Sequence, residues 1–325
     1  MEEYSKKAGP PVGLIAICGP TATGKTELAV RLCEALRGEI VSCDSMQIYQ
    51  GFDIGTAKPD AEEQRRAKHH LIGTVDPETD FSVSDYVALA EKTVLDIVQR
   101  EKLPVLAGGT GLYMRSLLRG VSFEEDTRDE ALRRRLFELA AEHGNPYLYD
   151  RLRQCDPAAA EAIHPNNLKR VVRALEYREK TGRLFSQQMK KQGEAAVRYD
   201  AKAFCLLYRD RQKLYERINL RVDRMMEKGL LDEARQLYEL LRGREKYPTV
   251  AQAIGYKELF PYFEGTVELS EAVDNIKQKT RNYAKRQITW FRREENLQNI
   301  YIDDYPDSDG VFRACLAALA ETGIG

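Results

Sequence analysis

The sequence predicts an α/β fold, a parallel sheet flanked by helices and interrupted by a helical insertion, and three observations carry that prediction. Short apolar runs end in glycine or aspartate, amphipathic stretches follow them, and the first such junction reads GPTATGKT at residues 19 to 26. That junction matches G-x-x-x-x-G-K-[ST] in the setting the pattern requires, a buried strand before it and a helix after it. The architecture is therefore P-loop NTPase-like.

In chain order, VGLIAIC (12 to 18) is continuously apolar, as a strand covered on both faces must be. Beyond the loop, Leu28, Ala29, Leu32, Cys33 and Leu36 share one helical face. EIVSCD, LIGTVD and LPVLAGGTG are the next apolar runs, and the last is again a buried strand that breaks into glycines. Between residues 120 and 199 the character changes. DEALRRRLFELAAEHG, DPAAAEAIHP and NNLKRVVRALEYREKTGR are charge-rich and helical in period, so this stretch is read as the insertion and residues 1 to 119 with 200 to 325 as the core domain. AFCLLYRD (203 to 210) returns to the sheet, two long helical stretches follow, and NIYIDD is the last apolar run. Ligands of such sheets collect at the carboxyl ends of the strands. Gly19 to Thr26, Asp44 to Gln47 and Gly108 to Gly111 are accordingly expected around one pocket.

Composition narrows the function without naming it. Fifty basic against 51 acidic residues give a formal net charge of -1, so a nucleic-acid partner would have to meet a local basic face. The Val12 to Cys18 run is too short to span a bilayer, and a cytoplasmic, non-membrane protein is expected. Cys18, Cys33, Cys43, Cys155, Cys205 and Cys315 show neither C-x-x-C pairing nor metal-ligand spacing with histidine, which argues against zinc and against a disulfide framework. The His69-His70 pair reads as a surface or strand-entry feature.

Within the loop, Gly19, Pro20, Thr21, Ala22, Thr23 and Gly24 would present backbone N-H groups to a diphosphate, Lys25 would add a point charge, and Thr26 would ligate Mg2+. Kinases, GTPases and other ATP-binding enzymes share this opening, so the loop leaves the reaction open. Asp44, at a strand end, is a base or a turn-forming residue; Asp76 is the nearest thing to a magnesium-holding acid, but it precedes Pro77 and reads as a turn. In GGTGLY, Gly108, Gly109 and Gly111 permit close backbone approach to a ligand or make a tight turn, and Thr110 offers a hydroxyl. Arg221 falls inside the apolar stripe Leu214, Ile218, Val222 and Met225, where a guanidinium needs an anion, either an internal carboxylate or a diphosphate held by the loop. Along DNIKQKTRNYAKRQITWFRRE, Val273, Ile276, Ala284, Gln287, Ile288 and Phe291 gather on one side. Arg281, Lys285 and Arg292 form one basic stripe, Lys279, Arg286 and Arg293 another, with no acid between Lys277 and Arg293. Trp290 beside them either packs or stacks on a base.

Taken together, GPTATGKT, DSMQIYQGFDIGTAKP (44 to 59), GGTGLYMRSLL (108 to 118), HPNNLKRVVRALE (164 to 176), QAIGYKE (252 to 258) and KRQITWFR (285 to 292) resemble, in this order, the bacterial tRNA dimethylallyltransferases. The resemblance runs from about residue 12 to 300. It implies transfer of a dimethylallyl group from dimethylallyl diphosphate to N6 of adenine 37 in the tRNA anticodon stem-loop, with the loop and Arg221 gripping the departing diphosphate. It further implies Asp44 as the base and Thr110 as its assistant at the reacting centre. Contacts with tRNA are implied for Asp44, Ser45, Met46, Gln47, Thr110 and Arg133; for Lys169, Arg170, Val171, Val172 and Arg173; for Gln252, Ala253, Ile254, Gly255, Tyr256 and Lys257; and for Lys285, Arg286, Gln287, Ile288, Thr289, Trp290, Phe291 and Arg292. The pattern around Lys169 to Arg173 and at Arg133 is matched loosely. No zinc-finger extension of the eukaryotic relatives is present, so a bacterial-type enzyme, taken as a monomer, is expected. A P-loop small-molecule kinase and an adenylate isopentenyltransferase are the competing readings; neither needs the long basic face.

Overall fold

The computed structural model describes residues 12–121, 129–193, 199–244 and 248–323. Its elements, in chain order, are β1 (Val12–Cys18), α1 (Lys25–Leu36), β2 (Gly38–Ser42), α2 (Ala61–Arg66), β3 (His69–His70), α3 (Val83–Gln99), β4 (Leu103–Ala107) and α4 (Gly111–Leu118). Then come α5 (Glu130–His143), α6 (Asn145–Cys155), α7 (Pro157–Ala162), α8 (Leu168–Thr181) and α9 (Phe185–Gly193). The chain continues through β5 (Tyr199–Leu207), α10 (Arg211–Glu227), α11 (Leu230–Leu241), α12 (Phe260–Phe263), α13 (Leu269–Phe291), β6 (Leu297–Tyr301) and α14 (Ser308–Ala320). Two compact units result, Met1–Leu118 with Arg198–Gly325, and Arg119–Val197.

The first unit is built on a parallel sheet in the order β3-β2-β4-β1-β5-β6. β1 lies between β4 and β5, which is why its sequence is apolar throughout: Leu14 to Cys18 are wholly buried. Alternation along the strands sends Ile15, Ile17, Ile40, Val105, Phe204 and Leu206 into one cluster with Leu32 and Cys33 of α1 and Cys315 and Leu319 of α14. On α3 and α4, Tyr86 stacks on Tyr113 with ring centroids 4.1 Å apart, and the Tyr86 hydroxyl donates to the Ser42 carbonyl at 3.1 Å.

Two strand expectations are corrected. LIGTVD does not pair as a strand. β3 is the preceding His69–His70, and Leu71 takes a left-handed φ of 61° that turns the chain away after two residues, leaving Val75 only an isolated bridge to Tyr49. β5 begins at Tyr199 rather than Ala203, because it pairs with β1 along the whole length from Val12↔Tyr199 to Cys18↔Cys205.

The second unit is helical across its described residues and has its own core: Leu136, Ala140, Leu148, Leu152, Ala159, Ile163, Val171, Val172 and Leu175. Its buried carboxylates serve the backbone and fixed cations. Asp156 accepts from Ala159 N at the start of α7 and from Ser186 N, while Glu176 accepts from Asp129 N and pairs with Arg133 and Arg173. Among the described residues, no helix is long and apolar enough to cross a membrane.

Candidate active site

The carboxyl ends of β1, β2 and β4 open into a cleft of about 1360 Å³ lined by the phosphate loop, the Asp44–Gln47 turn, Gly108 and Gly109, the segment from Asp53 to Asp60, and the inner faces of α10 and α13. The three sequence stretches expected around one pocket do surround it. Thr21, Ala22, Gly24, Lys25 and Thr26 line the cleft. Gly19, Pro20 and Thr23 shape the loop from within: the Thr23 hydroxyl donates to the Pro20 carbonyl at 2.8 Å, and a Cβ on Gly19 would sit 2.3 Å from the Leu206 carbonyl oxygen. Lys25 Nζ donates to the same Pro20 carbonyl at 2.6 Å.

The loop is held from outside by two side chains. Arg217 Nε donates to the Ala22 carbonyl at 3.1 Å. Gln287 accepts from Thr21 N at 2.9 Å and donates to the Gly109 carbonyl at 3.0 Å, so one buried amide ties the phosphate loop to the GGTG turn. Gly109 is required for that approach, since a Cβ there would lie 2.3 Å from Gln287 Nε2.

Asp44 forms the turn its position suggested, and it does so at the cleft. Its Oδ1 accepts from Met46 N at 2.9 Å and Gln47 N at 3.4 Å, an Asx turn that fixes the carboxyl, while the residue itself lines the cleft. Oδ2 has no hydrogen-bond partner among the described residues. Thr110 stands behind this turn, its Oγ1 accepting from Ser45 N at 3.0 Å. Tyr283, on the cleft side of α13, lies near Thr110; burial first, then Asp44, pushes its phenol upward. Asp76 is an exposed turn residue accepting from Glu78 N at 2.8 Å.

Electrostatics separate the cleft from an ordinary crevice. Lys25 is pushed down to about 8, by burial first and then by the neighbouring Arg221, with Asp44 opposing. Burial likewise lowers Arg221, against Asp44 and Glu63, and its guanidinium has no hydrogen-bond or ion-pair partner among the described residues. Two half-buried cations beside each other are relieved by an anion between them. A bound diphosphate must therefore raise the Lys25 pKa, so binding takes up a proton above pH 8. Through Lys25, diphosphate affinity is expected to fall by up to about tenfold per unit above pH 8. Calorimetry in two buffers of different ionisation enthalpy checks the proton uptake.

The structure places the residues expected to contact nucleic acid in different settings. Val171 and Val172 lie in the core of the helical unit, and Ala253, Tyr256, Gln287 and Phe291 are buried at 6% exposure or less. Arg133 and Arg173 are engaged by the buried carboxylate of Glu176. Trp290 is packed, with the Arg115 guanidinium 4.5 Å over its ring and so little room at Gly111 that a Cβ there would be 2.2 Å from Trp290 Cδ1. Lys169, Arg170, Gln252, Lys257, Lys285, Arg286, Thr289 and Arg292 are exposed. Part of the basic helix is used internally: Lys277 pairs with Asp223 at 2.6 Å and Arg281 donates to Asn219 at 2.7 Å, both fastening α13 to α10.

Arg217 and Tyr283 escaped the sequence reading, although each lies one helical turn before a residue that was singled out, Arg221 and Gln287. Glu233, which braces the cleft wall from α11, had no local signal at all.

A phosphate-cradling loop that shares its cleft with a turn-fixed carboxylate, on a sheet of this order, defines a P-loop enzyme of the group-transfer class. The comparisons give the particular kind. The family model described as IPP transferase matches residues 47–294. A tRNA dimethylallyltransferase of Alkaliphilus oremlandii is 45% identical over 306 residues, covering 93% of this chain and 96% of that one. The crystal structure of a full-length tRNA isopentenylpyrophosphate transferase from Bacillus halodurans superposes with a TM-score of 0.70 at 43% identity, over 95% of this chain and 96% of the other. A eukaryotic dimethylallyltransferase solved in the course of acting on tRNA gives a TM-score of 0.81 at 29% identity, over 97% of this chain and 80% of that one. The chain belongs to the IPP transferase family, and it is a transferase.

Proposed function

We propose that the chain transfers the dimethylallyl group of dimethylallyl diphosphate to N6 of adenine 37 in a tRNA anticodon stem-loop. The observation that carries this reading is one cleft in which Asp44 faces the phosphate loop with the half-buried pair Lys25 and Arg221 beside it. The allylic C-O bond breaks with its electron pair leaving on the diphosphate, where loop N-H groups, Lys25 and Arg221 meet the growing charge. The N6-C bond forms on the other side, and the N6 proton passes to Asp44 Oδ2. Thr110 holds Ser45 N, and through it the Asp44 turn.

Mg2+ fits this cleft. The Thr26 hydroxyl is a hard oxygen donor facing the cleft, and among the described residues no cluster of acids, histidines or cysteines would cage a metal without the substrate's oxygens. Held there, the ion would offset negative charge on the diphosphate. Adenine 37 must leave the anticodon stack to enter the cleft, so the enzyme has to hold RNA by its backbone. Lys169, Arg170, Gln252, Lys257, Lys285, Arg286 and Arg292 are proposed for that task on their exposure.

Labelled dimethylallyl diphosphate offered with unmodified tRNA, with tRNA carrying guanine at position 37, and with AMP tests the reading. Label in the first alone is expected; label in AMP, or phosphoryl transfer from ATP to a small acceptor, overturns it. A salt titration tests the basic face. Arg286→Ala is expected to flatten the slope of log affinity for tRNA against log salt by about one unit, and an unaltered slope removes Arg286 from the interface.

A further inference from the structure

The segment 53 to 59 (DIGTAKP) forms one wall of the cleft and is pinned at both ends. At one end the Glu233 carboxylate, on α11, accepts from three consecutive backbone groups, Asp53 N at 2.8 Å, Ile54 N at 3.0 Å and Gly55 N at 2.8 Å, and from the Tyr256 hydroxyl at 2.8 Å. Tyr256 is wholly buried, packs edge-on against Phe52 at 5.6 Å, and lies so close to Gly55 that a Cβ there would be 2.5 Å from its ring. At the other end Gln47 Nε2 donates to the Ala57 carbonyl at 2.8 Å and the Thr56 carbonyl at 3.3 Å. The segment is thus a strap running from the Asp44–Gln47 turn to the start of α11, where Ile54 rests against Gly229.

Three adjacent N-H groups presented to one carboxylate make a charge-assisted anchor, and without it those donors must be satisfied by water. We infer that Glu233 is a positioning residue whose anchor keeps the 53 to 59 strap closed as a water-excluding wall, an inference that rests on the transferase reading above. Once the C-O bond breaks, two nucleophiles compete for the allylic carbon. The acceptor amine forms the N-C bond and gives up a proton; water forms a C-O bond, gives up a proton and yields dimethylallyl alcohol. A loosened strap favours the second route.

The test is a single-turnover partition with labelled dimethylallyl diphosphate and tRNA, measuring labelled tRNA against labelled alcohol. Glu233→Ala is expected to raise the alcohol share roughly tenfold, and Glu233→Gln, isosteric but with only one acceptor oxygen, severalfold. Tyr256→Phe, which leaves the three backbone donors anchored, is expected to stay within about twofold of wild type. Should Glu233→Ala fail to fold, Glu233→Gln carries the comparison. Lowered melting temperature with a wild-type partition overturns the inference, because a merely structural glutamate would behave so. Wild-type protein that labels no tRNA sinks the transferase reading itself and the strap's role with it.

Discussion

Asp44→Ala is expected to slow single-turnover prenyl transfer by about 10³-fold while leaving tRNA affinity within about threefold. The expectation comes from how the two carboxylate oxygens are used. Oδ1 is spent on the backbone of its own turn, accepting from Met46 N and Gln47 N, and Oδ2 is left for the cleft. An amine attacking an allylic carbon becomes more acidic as the bond forms, so a fixed acceptor is worth most in the transition state and little in the ground state. Asp44→Asn sharpens the test. Its Oδ1 accepts the same turn bonds, so the fold of the strand end survives, but its amide nitrogen takes no proton. A loss comparable to that of alanine identifies proton acceptance as the role; near-normal chemistry in the asparagine variant would reduce Asp44 to a turn former.

What could be read from the chain and what could not divides along sequence distance. GPTATGKT, Asp44 and GGTG were legible because each is a strand end followed at once by its own turn, and the sheet carries them to one cleft by topology. Arg221 was legible as a charge out of place in an apolar stripe. The supports of the site were not, because their partners are backbone atoms far away in the chain: Gln287 reaches 266 residues to Thr21, Arg217 reaches 195 to Ala22, and Glu233 reaches 178 to Gly55. A backbone N-H carries no residue signature, so no spacing could reveal these bonds. The split within the runs expected to contact tRNA has a simpler cause. The resemblance implies whole runs such as Lys169 to Arg173, yet a helix turns 100° per residue, so Val171 and Val172 face the core while Lys169 and Arg170 face outward. The two-residue β3 is not legible because histidines carry no apolar signal, whereas the apolar run that follows them carries a strand-like one.

Arg221→Ala is expected to lower kcat/KM for dimethylallyl diphosphate by about 10² to 10³-fold, the cost of removing one preorganised donor from a developing anion. Arg221 lies on α10 between the buried Ile218 and Val222, and no carboxylate among the described residues forms an ion pair with it. An internal salt-bridge role is thereby disfavoured, and the loop's own ligand is the remaining partner. The variant has a second readout that a purely structural arginine would not move. Arg221 is the largest charge effect holding Lys25 down, so its removal should shift the fall in diphosphate affinity from about pH 8 to higher pH, though only in part, because burial contributes more. Arg221→Lys keeps the charge and loses the planar fork, so it should retain the pH threshold while binding diphosphate more weakly than wild type. An unchanged pH threshold in Arg221→Ala, together with unchanged affinity, would return Arg221 to the structural class and leave the phosphate loop to neutralise the leaving group with Lys25 alone.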